Sequence, residues 1–337
     1  MSNIICTTGC NGSGKSTISE EILKNIKMEY THFSNPKDMV DGKKQYYDFL
    51  DNIQNDKNDK NYLCDRYHCG EHVYAPIYRG YESDYLIDFE NKVVKDNNFL
   101  FVYVTADLQK IIERIDVRGE DFMKQEHLGL ERQLFDKFMF KTQHLPFVHV
   151  DTTNIPLQDN LKIILESYEK LNTIWNSMRN CLKCSNVVAP ITLPRGNIQA
   201  KYFIVGQNPG GKGKNQNKHT PIFSNGKTSQ FLINTLINAG IYQDSWLTNL
   251  VLCGTEDNKI NENLVNNCQH NLKLQYDLIK PEKMFALGNE TYKYLINECK
   301  YILKDCEIVL VEHPTYVKRF FSGKEEKIKE YVEKFKC

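Results

Sequence analysis

The stretch Gly9-Cys10-Asn11-Gly12-Ser13-Gly14-Lys15-Ser16-Thr17 reads as G-x-x-x-x-G-K-S. A short apolar run, residues 3–7, precedes it and suits a buried strand. Behind it, Ile18, Ile22 and Ile26 recur at helical spacing, so a helix is predicted to begin near Ser16. A strand, a glycine-rich loop and a helix in this order predict a phosphate-binding loop. Both flanks disfavour the alternative, a glycine-rich turn that binds no ligand.

The residue types of this loop fit a nucleoside triphosphate. Glycines let backbone N–H groups curl around a phosphate, and the start of the following helix favours negative charge. Lys15 would reach the β- and γ-phosphates, and the Ser16 hydroxyl would ligate Mg²⁺. We therefore expect ATP and Mg²⁺ as cofactors. The residues predicted to bind the nucleotide are Gly9, Asn11, Gly12, Ser13, Gly14, Lys15, Ser16 and Thr17.

Length and composition predict two soluble domains. The chain has 337 residues, which exceeds one ordinary domain, and we predict domains at residues 1–172 and 173–337 with no Gly/Pro-rich linker between them. No apolar run approaches the ~20 residues of a membrane-spanning helix, and a strand begins the chain without a signal peptide, so a cytoplasmic location is expected. Eleven cysteines in that compartment favour metal or cluster ligation over disulfides.

Charge is balanced overall and uneven along the chain. Residues 1–170 carry 21 Lys and Arg against 28 Asp and Glu, whereas residues 171–337 carry 22 against 15. The acidic first half is typical of an enzyme for small substrates. The basic second half is biased toward a polyanion such as nucleic acid.

The first half alternates strands with helices. The predicted strands after the loop are residues 30–33, 61–64, 100–104 and 147–150, and the predicted helices are residues 41–56, 82–94, 108–117 and 157–172. The continuous apolar run 100–104 is typical of a central parallel strand. The pattern predicts an α/β fold with a doubly wound parallel sheet, whose ligands bind at the carboxyl ends of the strands.

Three further stretches of this half resemble a known family. Asp65-Arg66-Tyr67 follows a predicted strand, Arg114 and Arg118 lead to Gly119-Glu120-Asp121, and residues 68–80 read HCGEHVYAPIYRG. With the phosphate-binding loop they resemble the thymidylate kinase and deoxynucleoside kinase family, and residues 68–80 resemble phage-type thymidylate kinases. The resemblance covers residues 1–170 and implies phosphoryl transfer from ATP to a pyrimidine deoxynucleotide, with a homodimer as a common arrangement.

The resemblance implies a catalytic role for four side chains besides Lys15. Arg66 would hold the acceptor's phosphate as a bidentate fork, and Asp65 would orient the acceptor or the metal's water shell. Arg114 and Arg118, on a closing lid, would neutralise charge that develops during transfer. The structural alternatives are a plain Asp65–Arg66 salt bridge and an arginine that faces solvent.

The acceptor itself stays open. Glu71 and Tyr74 would line the pocket for its base. Asn35-Pro36-Lys37 departs from the family, in which many thymidylate kinases carry Glu beside the proline. Thymidylate, deoxyuridylate, a 5-modified deoxyuridylate and a base already inside DNA all remain candidates.

Four cysteines of the second half have the spacing of a metal site. Cys181 and Cys184 form C-x-x-C, and Cys253 and Cys268 follow after a long gap. This order resembles the iron–sulfur uracil-DNA glycosylases, in which four thiolates hold a [4Fe–4S] cluster. The spacing alone leaves zinc on four thiolates and unligated buried thiols equally open.

Five segments between and after these cysteines strengthen that resemblance. They are Gly206-Gln207-Asn208-Pro209-Gly210-Gly211, Pro221-Ile222-Phe223, Trp246-Leu247-Thr248-Asn249, residues 283–288 and Glu312-His313-Pro314-Thr315. In this order they resemble motifs of the uracil-DNA glycosylase superfamily over residues 180–320. The resemblance implies an α/β/α domain that binds DNA and acts on an extruded base.

The superfamily's roles carry over onto matching side chains. Phe223 would stack on the extruded base, and the Asn249 amide, with one donor and one acceptor, would read the edge of uracil. His313 would hydrogen-bond a base carbonyl as the glycosidic bond breaks.

The first of these motifs departs from the iron–sulfur branch, which usually carries Glu where this chain has Gln207 in the base pocket. Asn208 is similar to branches in which an Asn positions the attacking water. Because an amide is not a general base, only slow hydrolysis is implied. The basic loop 212–218 would contact phosphates, with an ordinary surface loop as the alternative.

These patterns predict a bifunctional enzyme of nucleotide or DNA metabolism, viral in origin. One alternative is a phage DNA-hypermodification protein that phosphorylates 5-hydroxymethyluracil within DNA and whose second domain acts on or binds the modified base. Another makes the second domain a non-catalytic nucleic-acid-binding module.

Overall fold

The computed structural model describes residues 1–56, 60–118, 125–142, 145–184, 187, 191–210, 221–224, 226–255, 258–303 and 306–336. The chain divides into two compact units, Met1–Leu171 and Asn172–Cys337. Within the described ranges, no helix has both the length and the apolar character needed to cross a membrane.

The first unit is built on a five-stranded sheet in which every neighbouring pair is parallel. Its strands are β1 (Asn3–Thr8), β2 (Glu29–His32), β3 (Tyr62–Asp65), β4 (Asn98–Thr105) and β5 (Phe147–Asp151). They lie in the order β2-β3-β1-β4-β5, so the strand that leads into the phosphate-binding loop is central. All eight residues of β4 are buried, as its continuous apolar run predicts.

Helices cross between these strands. They are α1 (Lys15–Asn25), α2 (Met39–Asn55), α3 (Cys69–Tyr74), α4 (Leu86–Asp96), α5 (Leu108–Arg118), α6 (Gln125–Lys137) and α7 (Leu157–Arg179), with π-helical stretches at Ala75–Arg79 and Phe138–Thr142. Asp38 caps α2 by accepting hydrogen bonds from the N–H groups of Val40 and Asp41. The α/β fold predicted from the alternating pattern is confirmed.

Helix α7 is longer than the predicted helix 157–172. Its last two turns bury Ile174, Trp175 and Met178 completely, and the Trp175 indole donates a 3.1 Å hydrogen bond to the carbonyl oxygen of Pro194. Buried apolar residues at helical spacing stabilise these extra turns.

The second unit also contains a five-stranded sheet. Its strands are β6 (Arg195–Gly196), β7 (Tyr202–Gly206), β8 (Ser245–Asn249), β9 (Lys283–Leu287) and β10 (Glu307–Val311). The order is β10-β9-β7-β8-β6, with four parallel strands and an antiparallel β6. The carboxyl ends of β7 to β10 therefore meet at one edge of the sheet.

In the described part of this unit, five helices accompany the sheet. They are α8 (Lys227–Asn238), α9 (Glu262–Ile279), α10 (Asn289–Asn297), α11 (Pro314–Phe320) and α12 (Glu325–Glu333), with 3-10 turns at Tyr242–Asp244 and Lys300–Ile302. One core cluster joins Leu232 and Leu236 of α8 to Phe285 of β9 and Tyr331 of α12. Asn261 caps α9 by accepting a 3.0 Å hydrogen bond from the Leu264 N–H.

Candidate functional site

The phosphate-binding loop lies at the carboxyl end of β1. Gly9, Gly12 and Gly14 have φ angles of +142°, +75° and +99°. A Cβ atom at Gly9 would lie 2.2 Å from the carbonyl oxygen of Val104 on β4, so only glycine fits there. Gly14 provides no side-chain cap to α1, and the N–H groups of the first turn therefore suit an anion.

Lys15 and Ser16, predicted to bind the phosphates and Mg²⁺, open α1. The Lys15 ammonium donates a 2.8 Å hydrogen bond to the carbonyl oxygen of Cys10, and its burial lowers its pKa. The Ser13 hydroxyl is buried and has no hydrogen-bond partner in the described part of the chain. Ser16 is exposed. The ammonium thus lies against the loop backbone, where a phosphate oxygen can become its partner.

Asp65 and Arg66 lie where β3 ends, next to the loop strand. Asp65 is 2% exposed; its Oδ2 accepts a 3.2 Å hydrogen bond from the Tyr30 hydroxyl and lies 3.1 Å from His32 Nδ1. Burial, together with this carboxylate, raises the pKa of Tyr30 to about 12. The Asp65 Oδ1 atom is buried without a hydrogen-bond partner among the described residues. Asp65 thus bonds to β2 rather than to Arg66, which has φ +60° and is exposed.

A narrow cleft brings Lys15 and Arg66 together with the two predicted base-pocket residues, Glu71 and Tyr74. Asn35 and Pro36, from the segment that lacks the Glu found beside this proline in many thymidylate kinases, also line it. The cleft therefore joins the phosphate-binding loop to the side chains expected to bind an acceptor.

Glu71 is fixed inside this cleft. It is 1% exposed and accepts hydrogen bonds from the Arg79 guanidinium and the Tyr81 hydroxyl. The Tyr74 ring packs against Phe135 with their centroids 5.5 Å apart. A buried carboxylate beside an arginine and aromatic rings can recognise a planar base that carries an N–H donor.

A cavity of about 460 Å³ lies beside the loop, within the size range of small-molecule sites. Gly14 and Thr17 line it, as do Arg114 and Arg118 of α5 and Thr152 after β5. The cavity thus joins the loop to both predicted lid arginines. The Gly119-Glu120-Asp121 segment of the resemblance lies outside the described residues.

Arg114 ties the loop to the end of β5. Its Nη1 donates to the carbonyl oxygen of Gly12 at 3.0 Å and to Thr152 Oγ1 at 2.9 Å, and Nη2 donates to the Thr152 carbonyl at 3.1 Å. Thr152 Oγ1 donates in turn to the carbonyl oxygen of Ser13 at 2.7 Å. These bonds fix the loop's shape, whereas Arg118 is exposed at the cavity wall.

Glu131 of α6 was not found by sequence reasoning. It is completely buried and accepts a hydrogen bond from the Tyr78 hydroxyl. Burial raises the pKa of this carboxyl, while the hydrogen bond from Tyr78 and the nearby Lys15 lower it. A single acidic residue in a helical stretch with no motif gives no sequence signal.

Two of the side chains predicted to bind a base, Phe223 and Asn249, meet where β7 and β8 end. Gly206 pairs with Asn249 across these strands. A Cβ atom at Gly206 would lie 2.3 Å from Asn249 Oδ1 and 2.8 Å from Phe223 Cζ, so the amide and the ring converge over this glycine. Both polar atoms of the Asn249 amide are buried without hydrogen-bond partners in the described part of the unit. A buried amide in this state has one donor and one acceptor available for a planar polar group.

The turn that carries Phe223 is held by a buried arginine that sequence reasoning also missed. Arg195 is 2% exposed and donates hydrogen bonds to the carbonyl oxygens of Ile222 at 2.6 Å and Phe223 at 3.1 Å. Phe223 itself has φ +51°.

His313 follows β10 and caps α11. Its Nδ1 accepts a 3.2 Å hydrogen bond from the Thr315 N–H, and burial lowers its pKa. A neutral ring with an accepting Nδ1 carries its proton on Nε2 and can donate it to a carbonyl oxygen. The ring packs beside Gly288, whose Cβ atom would lie 3.1 Å from His313 Cβ.

Gln207 and Asn208 follow β7 directly. The backbone carbonyl of Gln207 accepts a 3.0 Å hydrogen bond from the Val251 N–H, and Asn208 Nδ2 donates to Thr255 Oγ1 at 3.1 Å. This arrangement directs the Asn208 Oδ1 acceptor away from Thr255. Gly211 and the basic loop 212–218 lie outside the described residues.

The four predicted cluster cysteines approach one another around α9. Asn271 Nδ2 lies 4.0 Å from the Cys181 sulfur and 3.9 Å from the Cys268 sulfur. Asn267 Nδ2, one turn away, lies 3.9 Å from the Cys184 sulfur. Burial and then the neighbouring cysteines raise the pKa of Cys253 to about 12.

Soft sulfur donors with amide N–H groups beside them fit a metal–thiolate cluster. Among the described residues, however, no group of three or more His, Cys, Asp or Glu side chains is placed so that it could hold a metal ion.

Residues 193–336 match the family model of the uracil DNA glycosylase superfamily. The matched range contains Gly206, Phe223, Asn249 and His313, and it begins after Cys181 and Cys184. No curated protein matches the chain.

Similar solved structures include the YorR protein of Bacillus subtilis in complex with phosphorylated GDP. It is 21% identical with a TM-score of 0.42, covering 50% of this chain and 96% of that chain. Deoxyadenosine kinase from M. mycoides is similar in a structure with dCMP and a flexible dCDP (23% identity, TM-score 0.37) and in one with dATP (25%, 0.36). Each covers 50% of this chain and 99% of that chain.

Proposed function

We propose that the first unit transfers a phosphoryl group from ATP to a pyrimidine deoxynucleotide, with dTMP, dUMP and a 5-modified dUMP as the candidate acceptors. The supporting observation is that one loop adjoins two sites. A 460 Å³ cavity beside Gly14 can take the donor nucleoside, and the cleft with Lys15, Arg66 and Glu71 can take the acceptor.

The geometry suits transfer by alignment and charge neutralisation. Lys15 leaves the carbonyl oxygen of Cys10 and binds a phosphate oxygen, while Arg66 binds the acceptor's own phosphate. Arg114 fixes the loop conformation through its hydrogen bond to the Gly12 carbonyl. Arg118 lines the cavity and would bind the nucleotide there. Mg²⁺ held by Ser16 would supply further neutralisation of the β- and γ-phosphates.

A screen with labelled ATP tests this assignment. Purified protein with Mg²⁺ is incubated with dTMP, dUMP, 5-hydroxymethyl-dUMP and the matching nucleosides. Label is expected in one or more of the monophosphates and in none with Lys15→Ala. Binding of ATP without transfer to any acceptor would contradict the assignment.

For the second unit we propose recognition of an extruded pyrimidine, with uracil in DNA as the first candidate. The buried and unpartnered Asn249 amide supports this most directly, because it has a donor and an acceptor side by side. Phe223 stacks on the base, and His313 donates from Nε2 to a base carbonyl. Asn208 would orient a water, which makes slow hydrolysis of the glycosidic bond the expected activity.

Excision from a single-stranded oligonucleotide with one deoxyuridine tests the catalytic form of this proposal. Cleavage that is lost in Asn208→Ala is the expected result. Uracil-selective binding without cleavage would make the unit a non-catalytic binding module. If the protein neither cleaves the oligonucleotide nor binds it with a preference for uracil, the proposed base recognition is contradicted.

A DNA-modifying role is the second candidate. It is favoured by one observation, the presence of a phosphate-binding loop and a uracil DNA glycosylase superfamily match in the same chain. Label from ATP in 5-hydroxymethyluracil-containing DNA, with none in free nucleotides, would decide for it. The acidic charge of residues 1–170 weighs against it, because duplex binding favours a basic surface.

We also propose that Cys181, Cys184, Cys253 and Cys268 hold a [4Fe–4S] cluster, with Zn²⁺ as the alternative. The sulfurs of Cys181, Cys184 and Cys268 lie near the side-chain amides of Asn267 or Asn271, and Cys253 is close enough to these three cysteines for them to raise its pKa, which supports the proposal. Anaerobically purified protein should contain iron and sulfide and absorb near ~400 nm in a dithionite-sensitive band, lost in Cys253→Ser. One zinc per chain without iron would favour the alternative.

The proposals for cellular location and oligomeric state rest on the sequence and on the kinase resemblance alone. We propose a cytoplasmic location, in host cytoplasm if the chain is viral, and a homodimer formed by the first unit. Sedimentation of purified protein would test the dimer.

A further inference from the structure

Arg195, the first residue of β6, serves no step of the chemistry described above. Its side chain is nevertheless buried, and burial of a guanidinium is costly unless its donors are used. Nε donates to the Ile222 carbonyl at 2.6 Å, Nη2 donates to the Phe223 carbonyl at 3.1 Å, and Nη1 donates to the Tyr242 hydroxyl at 3.1 Å. Two of these three acceptors are successive carbonyls of one turn.

That turn holds an unfavourable backbone conformation. Phe223 has φ +51°, in the left-handed region that bulky residues rarely adopt. A strained residue of this kind persists only where its surroundings fix it. The Arg195 fork fixes the carbonyls on both sides of the strained residue's N–Cα bond, and the Ile222 N–H donates to the Leu193 carbonyl at 2.9 Å.

The strain has a consequence for the base pocket. It places Phe223 Cζ 2.8 Å from the point that a Gly206 Cβ would occupy, and Asn249 Oδ1 lies 2.3 Å from the same point. The ring and the reading amide are therefore neighbours. A turn that relaxed to negative φ would carry the ring away from the amide.

We infer that Arg195 is a positioning residue, which holds the Phe223 ring in place as the stacking wall of the base pocket. The inference rests on the proposed base recognition by the second unit. Stacking contributes to the bound ground state and to the transition state alike. Loss of the arginine should therefore weaken binding or raise KM and leave kcat unchanged.

A double-mutant cycle between Arg195 and Phe223 tests this. The measurement is the Kd of an oligonucleotide with one 2′-fluoro-deoxyuridine, a uracil nucleotide whose glycosidic bond resists cleavage, relative to the same strand with thymidine. Phe223→Ala should lower this preference roughly tenfold or more, the range of one lost stacking contact. Arg195→Lys should lower it about three- to tenfold. Because the arginine acts through the ring, Arg195→Lys should cost nothing further in the Phe223→Ala background.

Two additional variants keep the test decisive. Lys273→Arg, an exposed change on α9, is the matched control and should leave the preference unchanged. If Arg195→Lys does not fold, Tyr242→Phe takes its place in the cycle, since it removes one Arg195 partner and leaves the two carbonyls. A preference about twofold lower, again absent in the Phe223→Ala background, is then expected.

The outcomes distinguish the positioning role of Arg195 from base recognition by the second unit. A wild-type protein with no uracil preference would contradict base recognition itself. A wild-type preference that Arg195→Lys reduces equally with and without the Phe223 ring would overturn the positioning role, as would a fall in kcat at unchanged KM.

Discussion

The two candidate sites are both at the carboxyl ends of parallel strands, but one consists mainly of backbone groups and the other mainly of side chains. The nucleotide site is mainly backbone: nine consecutive residues turn from β1 into α1, with glycines at three positive-φ positions. The base pocket is mainly side chain. Gly206, Phe223, Asn249 and His313 come from four separate segments that span over one hundred residues.

This difference shows how each site resists change. At Gly9 the neighbouring atom is a backbone carbonyl that belongs to the central sheet, so the loop cannot yield without moving a strand. At Gly206 the neighbours are the ends of two functional side chains. Crowding the first site should damage the fold, whereas crowding the second should damage recognition.

Gly9→Ala is expected to have the largest effect. A methyl group 2.2 Å from the Val104 carbonyl, on a residue with φ +142°, forces the loop away from β4. Nucleotide affinity should fall at least a hundredfold and the free energy of unfolding by about 2–4 kcal/mol. Isothermal titration with ATP and chemical denaturation measure the two effects. Tight ATP binding by this variant would contradict the account of the loop.

Gly206→Ala should affect binding more than stability. Its methyl group displaces the Asn249 amide and the Phe223 ring, so uracil preference should fall about 30- to 100-fold, within the range for one lost bidentate contact to a base edge. The matched control is Gly210→Ala in the loop that follows β7, where a Cβ would meet no described atom within 4 Å. Equal losses in both variants would show that the contacts over Gly206 do not form the pocket.

Arg114→Lys tests whether the phosphate-binding loop can be weakened without any effect on the second unit. Lysine cannot reproduce donation to both Gly12 and Thr152, so the loop should loosen. ATP affinity should fall about five- to tenfold, and the uracil preference should not change. Lys162→Arg, an exposed change on α7, is the control. Unchanged ATP binding in Arg114→Lys would mean that the arginine does not shape the loop.

The smallest expected effect concerns pH and His313. Burial lowers its pKa below the ordinary value of ~6.5, so the ring stays neutral and keeps accepting from Thr315 to a lower pH than an unperturbed histidine would. At lower pH the unfolded chain binds the proton more tightly than the folded one, and protonation of Nδ1 removes the cap. The uracil preference should thus stay flat as pH falls through ~6.5 and decrease only at lower pH.

His313→Asn provides the comparison for this pH dependence. Asparagine can also cap α11 but does not titrate. The variant should bind uracil more weakly than wild type at every pH, with a flat profile. A wild-type profile that falls between pH 7 and 6 would contradict the assignment.

The features that could be predicted from the sequence are those that depend on residues close together in the chain. The loop, its flanking strand and helix, and the order of α/β elements depend on contiguous patterns, and the fold class is confirmed. The end of the helix predicted at residues 157–172 was wrong because burial of Trp175 and Met178 depends on the tertiary fold. The π-helical stretches after Tyr74 and Lys137 likewise had no local signal.

The candidate sites show the same division. The loop residues were identified from their motif and its flanks, the other motif residues were identified through resemblance, and the predicted roles of both sets remain predictions. Arg195 and Glu131 were missed because a buried charge is recognisable only from its partners. The Arg114 contacts with Gly12 and Thr152 join residues far apart in the sequence, so the position of Arg114 on a helix could not indicate them.

One crossed measurement tests the central claim, that this chain holds a triphosphate site and a separate pyrimidine site. ATP-dependent phosphoryl transfer and uracil preference are both measured in Lys15→Ala and in Asn249→Ala. The account predicts that Lys15→Ala loses transfer about a thousandfold and keeps its uracil preference, while Asn249→Ala does the reverse, losing about a hundredfold in preference. Loss of both activities in either folded variant, or of neither, would contradict it.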